Sequence, residues 1–119
     1  MITAKVLLKV KFFPFAIAIA ISSLPLSLAR ADTGTYDDVI NRMMNYQGHA
    51  GVLLNQSVMI DPQSCGRTDW YVLLKSNEHF KESYALLLAA HVSGRKVSFI
   101  LSGCEYGMPV IKHVAMGQG

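Results

Sequence analysis

From Glu78 to Met116 the chain reads EHFKESYALLLAAHVSGRKVSFILSGCEYGMPVIKHVAM, one helix followed by two strands. Phe80, Tyr84, Leu87, Leu88 and His91 fall at i, i+4, i+7, i+8 and i+11, the spacing of one helical face. The pattern predicts a helix from about Glu78 to Val92, with Ser76 and Asn77 as N-cap residues and Glu78 where the helix dipole favours an acid. Gly94 suits a left-handed stop. Leu86, Ala89 and Ala90 widen the apolar face, so only Lys81, Glu82 and Ser83 read as wet and the helix reads as well covered by a sheet. His91, on or near that face, reads as packed and hydrogen-bonded. Lys96 to Ser102 alternates as a strand, with Val97, Phe99 and Leu101 on one side. Gly103 to Gly107 reads as a turn, Pro109 can open a strand, and Val110 to Met116 completes a hairpin.

Working towards the N-terminus, Gly51 to Ile60 and Asp69 to Leu74 read as two further strands, joined by the loop Asp61-Pro62-Gln63-Ser64-Cys65-Gly66. Val39 to Tyr46 supports two readings. Tyr36, Val39, Ile40, Met43 and Met44 have helical spacing, while Gln47-Gly48-His49 is a plausible hairpin connection into the next strand. The strand reading gives the order β-β-β-α-β-β. That is a mainly β fold with one helix (α+β), in the order of a five-stranded antiparallel OB-like barrel.

Two cysteines, Cys65 and Cys104, stand just before the third strand and after the fourth. In an oxidising compartment only one intramolecular pairing exists. Closing that loop of about 40 residues is worth roughly 4 kcal/mol in the chain-entropy model. The competing reading is two free thiols acting as ligand or nucleophile.

The compartment is read from the first 31 residues. Lys5, Lys9 and Lys11 make a positive region, Phe12 to Leu28 carries no charge, and Ala29-Arg30-Ala31 is a small-x-small site. These are the parts of a signal peptide in order, with cleavage expected after Ala31. A membrane anchor is the competing reading, but the apolar run is short against the roughly 20 residues of a span and Pro14 and Pro25 interrupt it. Residues 32–119 then form a single OB-like domain exported to the periplasm or beyond. Four of the eleven basic residues lie in the leader, leaving seven against eight acids, so the formal +3 of the whole chain becomes about −1. That balance gives no basic surface for nucleic acid or anionic lipid, and with the leader removed no membrane contact is expected.

The residues that bear chemistry are scattered. His49, His79, His91 and His113 do not pair at ligand spacing with another His, Cys or carboxylate, so neither metal nor cofactor is expected. Asp61, Asp69, Glu78 and Glu105 read as solvated loop acids. No nucleophile elbow, phosphate loop or dinucleotide fingerprint is present. The expectation is therefore a protein that is not an enzyme. Trp70 and Tyr71 are adjacent on a strand and must face opposite sides, one in the core and one outward. Tyr106 stands at a turn tip beside Cys104. Exposed aromatics on rigid loops bind sugars and protein partners through a flat apolar face and a polar edge, which makes Trp70, Tyr71 and Tyr106 the candidate ligand contacts.

Cys65-Gly66-Arg67-Thr68-Asp69-Trp70-Tyr71, the helix with Tyr84-Ala85-Leu86-Leu87-Leu88-Ala89-Ala90, Ser93-Gly94-Arg95-Lys96-Val97, and Ser102-Gly103-Cys104 with Gly107-Met108-Pro109 together look like a group of small secreted bacterial proteins of unknown role. The resemblance covers about Gly51 to Gly117. More loosely, the helix followed by Gly and a Val-rich strand is similar to the B subunits of AB5-type toxins such as subtilase cytotoxin and typhoid toxin, OB-fold pentamers that bind cell-surface glycans. This resemblance is one of pattern and order, and the sugar-binding serine of those subunits maps to no residue of this chain. It implies a secreted binding module for a glycan or protein, assembling as a homo-oligomer through edge strands. The alternative is a small periplasmic or envelope structural protein, or an inhibitor of a periplasmic enzyme.

Overall fold

The computed structural model describes residues 32–117. The expected signal peptide, residues 1–31, its cleavage site and the last two residues of the expected domain lie outside the described residues. Six strands and one helix follow in order: β1 Thr33–Gly34, β2 Ile40–Asn45, β3 Gly51–Gln56, β4 Tyr71–Leu74, α1 Phe80–Ser93, β5 Val97–Glu105 and β6 Met108–Met116. They form one sheet in the order β1-β5-β6-β4-β3-β2.

The chain is thus mainly β with one helix and one disulfide, but it is not the expected five-stranded antiparallel barrel. The sheet has six strands and is mixed: β4 and β6 run parallel, with Val72 opposite Val110. The parallel pair arises because α1 and β5 both intervene between β4 and β6, so the chain reverses before it returns. The sixth strand arises at the start. Residues 33–38 run antiparallel to β5, with Thr33 opposite Leu101 and an isolated bridge between Asp38 and Val97. The same stretch then leaves β5 and pairs with β3 as β2. Buried Gln56, at the end of β3, holds this junction by donating from Nε2 to the carbonyls of Asp38 and Val97 at 3.1 and 2.9 Å. The two ends of the strand order are therefore successive parts of one stretch of chain.

The stretch Val39–Tyr46, open between helix and strand, holds the strand Ile40–Asn45. The local reason is the turn that follows, where Gly48 takes a positive φ of 97° that an uninterrupted right-handed helix excludes. The tertiary reason is β3, whose Val52, Leu53 and Leu54 are all buried and need a neighbour on each side. Alternation along β3 and β4 sends Leu54, Tyr71 and Leu73 into the main core beneath the helix, with Phe99 and Ile111. Leu53 and Val72 go to a second cluster on the other face, with Met108 and the half-buried Trp70.

The helix starts later than expected. Asn77 caps from outside it: its Oδ1 accepts from the His79 N–H at 2.9 Å and its carbonyl accepts from the Phe80 N–H at 3.0 Å. Gly94 stops it in the left-handed region with φ 67°. The expected wet and buried faces need correcting. Ser83 is buried with Leu87 and Ala90, whereas Leu86, Leu88 and Val92 stand exposed. The helix is apolar almost all round, so hydropathy could not identify its inner side, and the sheet covers only one stripe of it. His91 does hydrogen-bond, through Nδ1 to the Ile40 carbonyl at 3.0 Å.

The β5–β6 turn is also tighter than expected. Cys104 and Glu105 stay paired with Pro109 and Met108, and the chain reverses through Tyr106 and Gly107, at φ 54° and 75°. Two successive positive φ values define a two-residue turn of type I′, which matches strand twist. The expected disulfide joins Cys65 to Cys104 with Cα atoms 5.4 Å apart.

Candidate functional site

Three connections meet at one end of the sheet: the β2–β3 turn 46–50, the loop 61–70 before β4, and the Tyr106–Gly107 turn. Each is held by local contacts. Asp61 accepts from the Cys65 and Gly66 N–H groups at 2.7 and 3.0 Å, which curls the long loop on itself. Gln63 Oε1 accepts from the Gly103 N–H, and the disulfide lies beside that contact. The aliphatic stem of Arg67 then lies over Gly107, so close that a Cβ added there would stand 3.7 Å from it. The Tyr106 hydroxyl accepts from the Ala50 N–H at 3.0 Å and ties the third connection to the first.

The fixed turns gather aromatic rings. His49 stacks on Tyr106 with centroids 4.3 Å apart and meets the edge of Tyr46 at 4.9 Å. Its Nδ1 is buried and, among the described residues, has no hydrogen-bond partner. Arg42 places its guanidinium 5.6 Å over the Trp70 ring, within cation–π range. Two clefts open on either side of Tyr46 and His49. One, of about 200 Å³, is lined by Met44, Leu53, Arg67 and Trp70. The other, of about 660 Å³, reaches Lys75 and the parallel rings of Phe80 and Tyr84, whose centroids are 5.8 Å apart.

The two charged groups of the 61–70 loop nearest the smaller cleft pair with each other. Arg67 donates from Nε and Nη2 to the two carboxylate oxygens of Asp69 at 2.9 and 2.6 Å. That contact holds the Asp69 carboxyl below its usual range and raises the Arg67 guanidinium further. Asp61 is committed to the loop backbone. The arrangement offers flat apolar faces with hydrogen-bonding edges, and the two loop carboxylates on hand already have partners. Among the described residues no group of three His, Cys, Asp or Glu could hold a metal ion.

Of the three aromatic candidates, Trp70 lines the smaller cleft, while Tyr106 lines neither cleft and instead stacks on His49, partly exposed. Tyr71 does neither. It lies wholly in the core, edge-on to Phe99, with its hydroxyl accepting from the Ile60 N–H at 2.9 Å. Burial pushes its phenol above the ordinary value. Strand alternation sent one of the pair inward, and it was the tyrosine because the Ile60 N–H gives a buried hydroxyl its partner. Sequence reasoning passed over Tyr46 and His49. Their signal was present in Tyr46-Gln47-Gly48-His49, two rings bracketing a glycine turn. Comparison with protein families, with curated proteins and with solved structures finds no match.

Proposed function

We propose that this chain is an exported, non-enzymatic binding module that takes a carbohydrate across the two aromatic clefts. The observation that carries the reading is the row of rings lining the two clefts, from Trp70 through Tyr46 and His49 at the braced turns to Tyr84 on α1. Sugar rings present apolar C–H faces to such surfaces and hydroxyls to the neighbouring Arg67, Asp69 and Lys75. The disulfide accords with an oxidising compartment. Export by the N-terminal leader is part of this proposal, and no helix among the described residues is long and apolar enough to cross a membrane. The loose resemblance of the sequence to toxin B subunits points to the same ligand class.

Trp70 is the sole tryptophan of the chain, which makes its emission a direct reporter. Screening on a glycan array followed by fluorescence titration should find sugars that shift Trp70 emission. Tyr46→Ala should weaken that binding at least about tenfold, a loss of roughly 1.4 kcal/mol. An array without hits and a flat titration would defeat the reading and favour a protein partner.

A further inference from the structure

The outer face of α1 carries a second apolar stripe. Ala85, Leu88, Ala89 and Val92 stand at i, i+3, i+4 and i+7, the spacing of a buried helical face, yet they point away from the sheet. Val92 is 85% exposed and Leu88 40%. The stripe is bounded by opposite charges. Glu82 lies in the first turn of the helix and Arg95 just past its end. Among the described residues neither forms an ion pair, and Arg95 reaches only the Met116 sulfur, at 3.8 Å.

We infer that this face docks a second copy of the same chain, helix against helix and antiparallel. The stripe is self-complementary about its midpoint between Leu88 and Ala89. Reversed on itself, it sets Val92 opposite Ala85 and Leu88 opposite Ala89, each large side chain against a small one. The same register brings Glu82 level with Arg95 of the second copy, twice by symmetry, and opposes the two helix dipoles head to tail. Lys81 comes level with Lys96 at the rim, where both long stems reach water. The contact runs along a helix of about 21 Å. It covers less than the roughly 800 Å² per partner of a standard stable complex, so the dimer is concentration-dependent, with a dissociation constant of about 10–100 µM. This locates self-association on the helix and not on the sheet edges, and it does not depend on the carbohydrate reading.

Sedimentation equilibrium on the protein, expressed from its full reading frame and purified oxidised, tests it. Monomer and dimer should exchange over about 10 µM to 1 mM, and Val92→Glu should raise the dissociation constant at least about tenfold with an unchanged thermal melt. Leu88→Glu is the second variant and should do the same. Glu82→Arg and Arg95→Glu should each weaken the dimer, and together they should restore it. A monomer throughout that range would overturn the proposal. So would a dimer or larger ring indifferent to Val92→Glu, or a double charge reversal that fails to restore association.

Discussion

The cleft end of the sheet and the outer face of α1 are both rich in exposed apolar groups, but they are built differently. At the cleft end the polar atoms brace the chain. Asp61 curls its loop, Gln63 and the disulfide moor that loop to β5, and the Tyr106 hydroxyl joins two turns. Tyr106 is anchored there by its hydroxyl, His49 packs against it, and Tyr46 packs in turn against His49. On the helix, Leu86, Leu88 and Val92 simply project. Bracing of this kind suits a small ligand that must find its contacts already in place. A smooth stripe suits a partner that brings its own complementary shape.

The largest expected effect breaks the bracing. Cys65→Ser with Cys104→Ser should cost about 4 kcal/mol of stability by the loop-closure estimate, read as a shift in denaturant midpoint. Ligand affinity should fall with it, while self-association through α1 should survive wherever the variant remains folded. A ligand affinity that stays constant would mean the clefts do not depend on the crosslink.

Next comes a contrast within the helix. Leu87 is fully buried and Leu88 partly exposed. Leu87→Ala should cost about 3 kcal/mol, whereas Leu88→Ala should stay within about 0.5 kcal/mol. Equal losses in chemical denaturation would show that the inner and outer faces have been assigned wrongly.

A smaller effect separates the two adjacent aromatics. Tyr71→Phe leaves the Ile60 N–H without its acceptor and should cost about 1–3 kcal/mol without changing sugar affinity, whereas Trp70→Ala should lower sugar affinity, read by retention on the glycan array. The raised phenol of Tyr71 also has a pH consequence. Its contribution to stability is complete below the unfolded tyrosine value near 10 and is lost as pH rises through the higher folded value. Tyrosinate absorbance should show one ring titrating last, together with alkaline unfolding.

The smallest effect concerns Asp69. Its folded carboxyl is depressed by Arg67, so the contribution is complete above the unfolded value of about 3.9 and is lost as pH falls through the lower folded one. Both partners are about half exposed, so the effect on a melting curve should be slight. Asp69→Asn should flatten that acid limb, and an unchanged limb would show that the ion pair does not help to hold the cleft.

How much of this was legible follows from period and pairing. The strands β3 to β6 and the helix announce themselves by alternation, by 3.6-residue spacing and by Gly94, and two cysteines left one possible bridge. What was hidden is tertiary. Thr33-Gly34-Thr35 has two β-branched residues but is too short, with a glycine at its centre, to read as a strand. It is extended because Thr35 exchanges hydrogen bonds with Phe99 across 64 residues, its N–H to the Phe99 carbonyl and its Oγ1 from the Phe99 N–H. The parallel β4–β6 pair is a property of the connections and of no single segment. In the site, Trp70 and Tyr106 could be picked out as aromatics on or beside loops. Tyr46 and His49 could not be ranked, because their value comes from standing between two clefts made by other parts of the chain.

The seam at Gln56 has a kinetic meaning. The first residues of the described chain find their partners only in β5, Thr33 opposite Leu101, and Asp32 forms an ion pair with Lys112 of β6 at 2.7 Å. During synthesis residues 32–34 therefore wait for β5 and β6 to be made. Long-range pairings of this sort form slowly. The domain therefore cannot lock its sheet until its most distant strands are present, and it stays pliable up to that point.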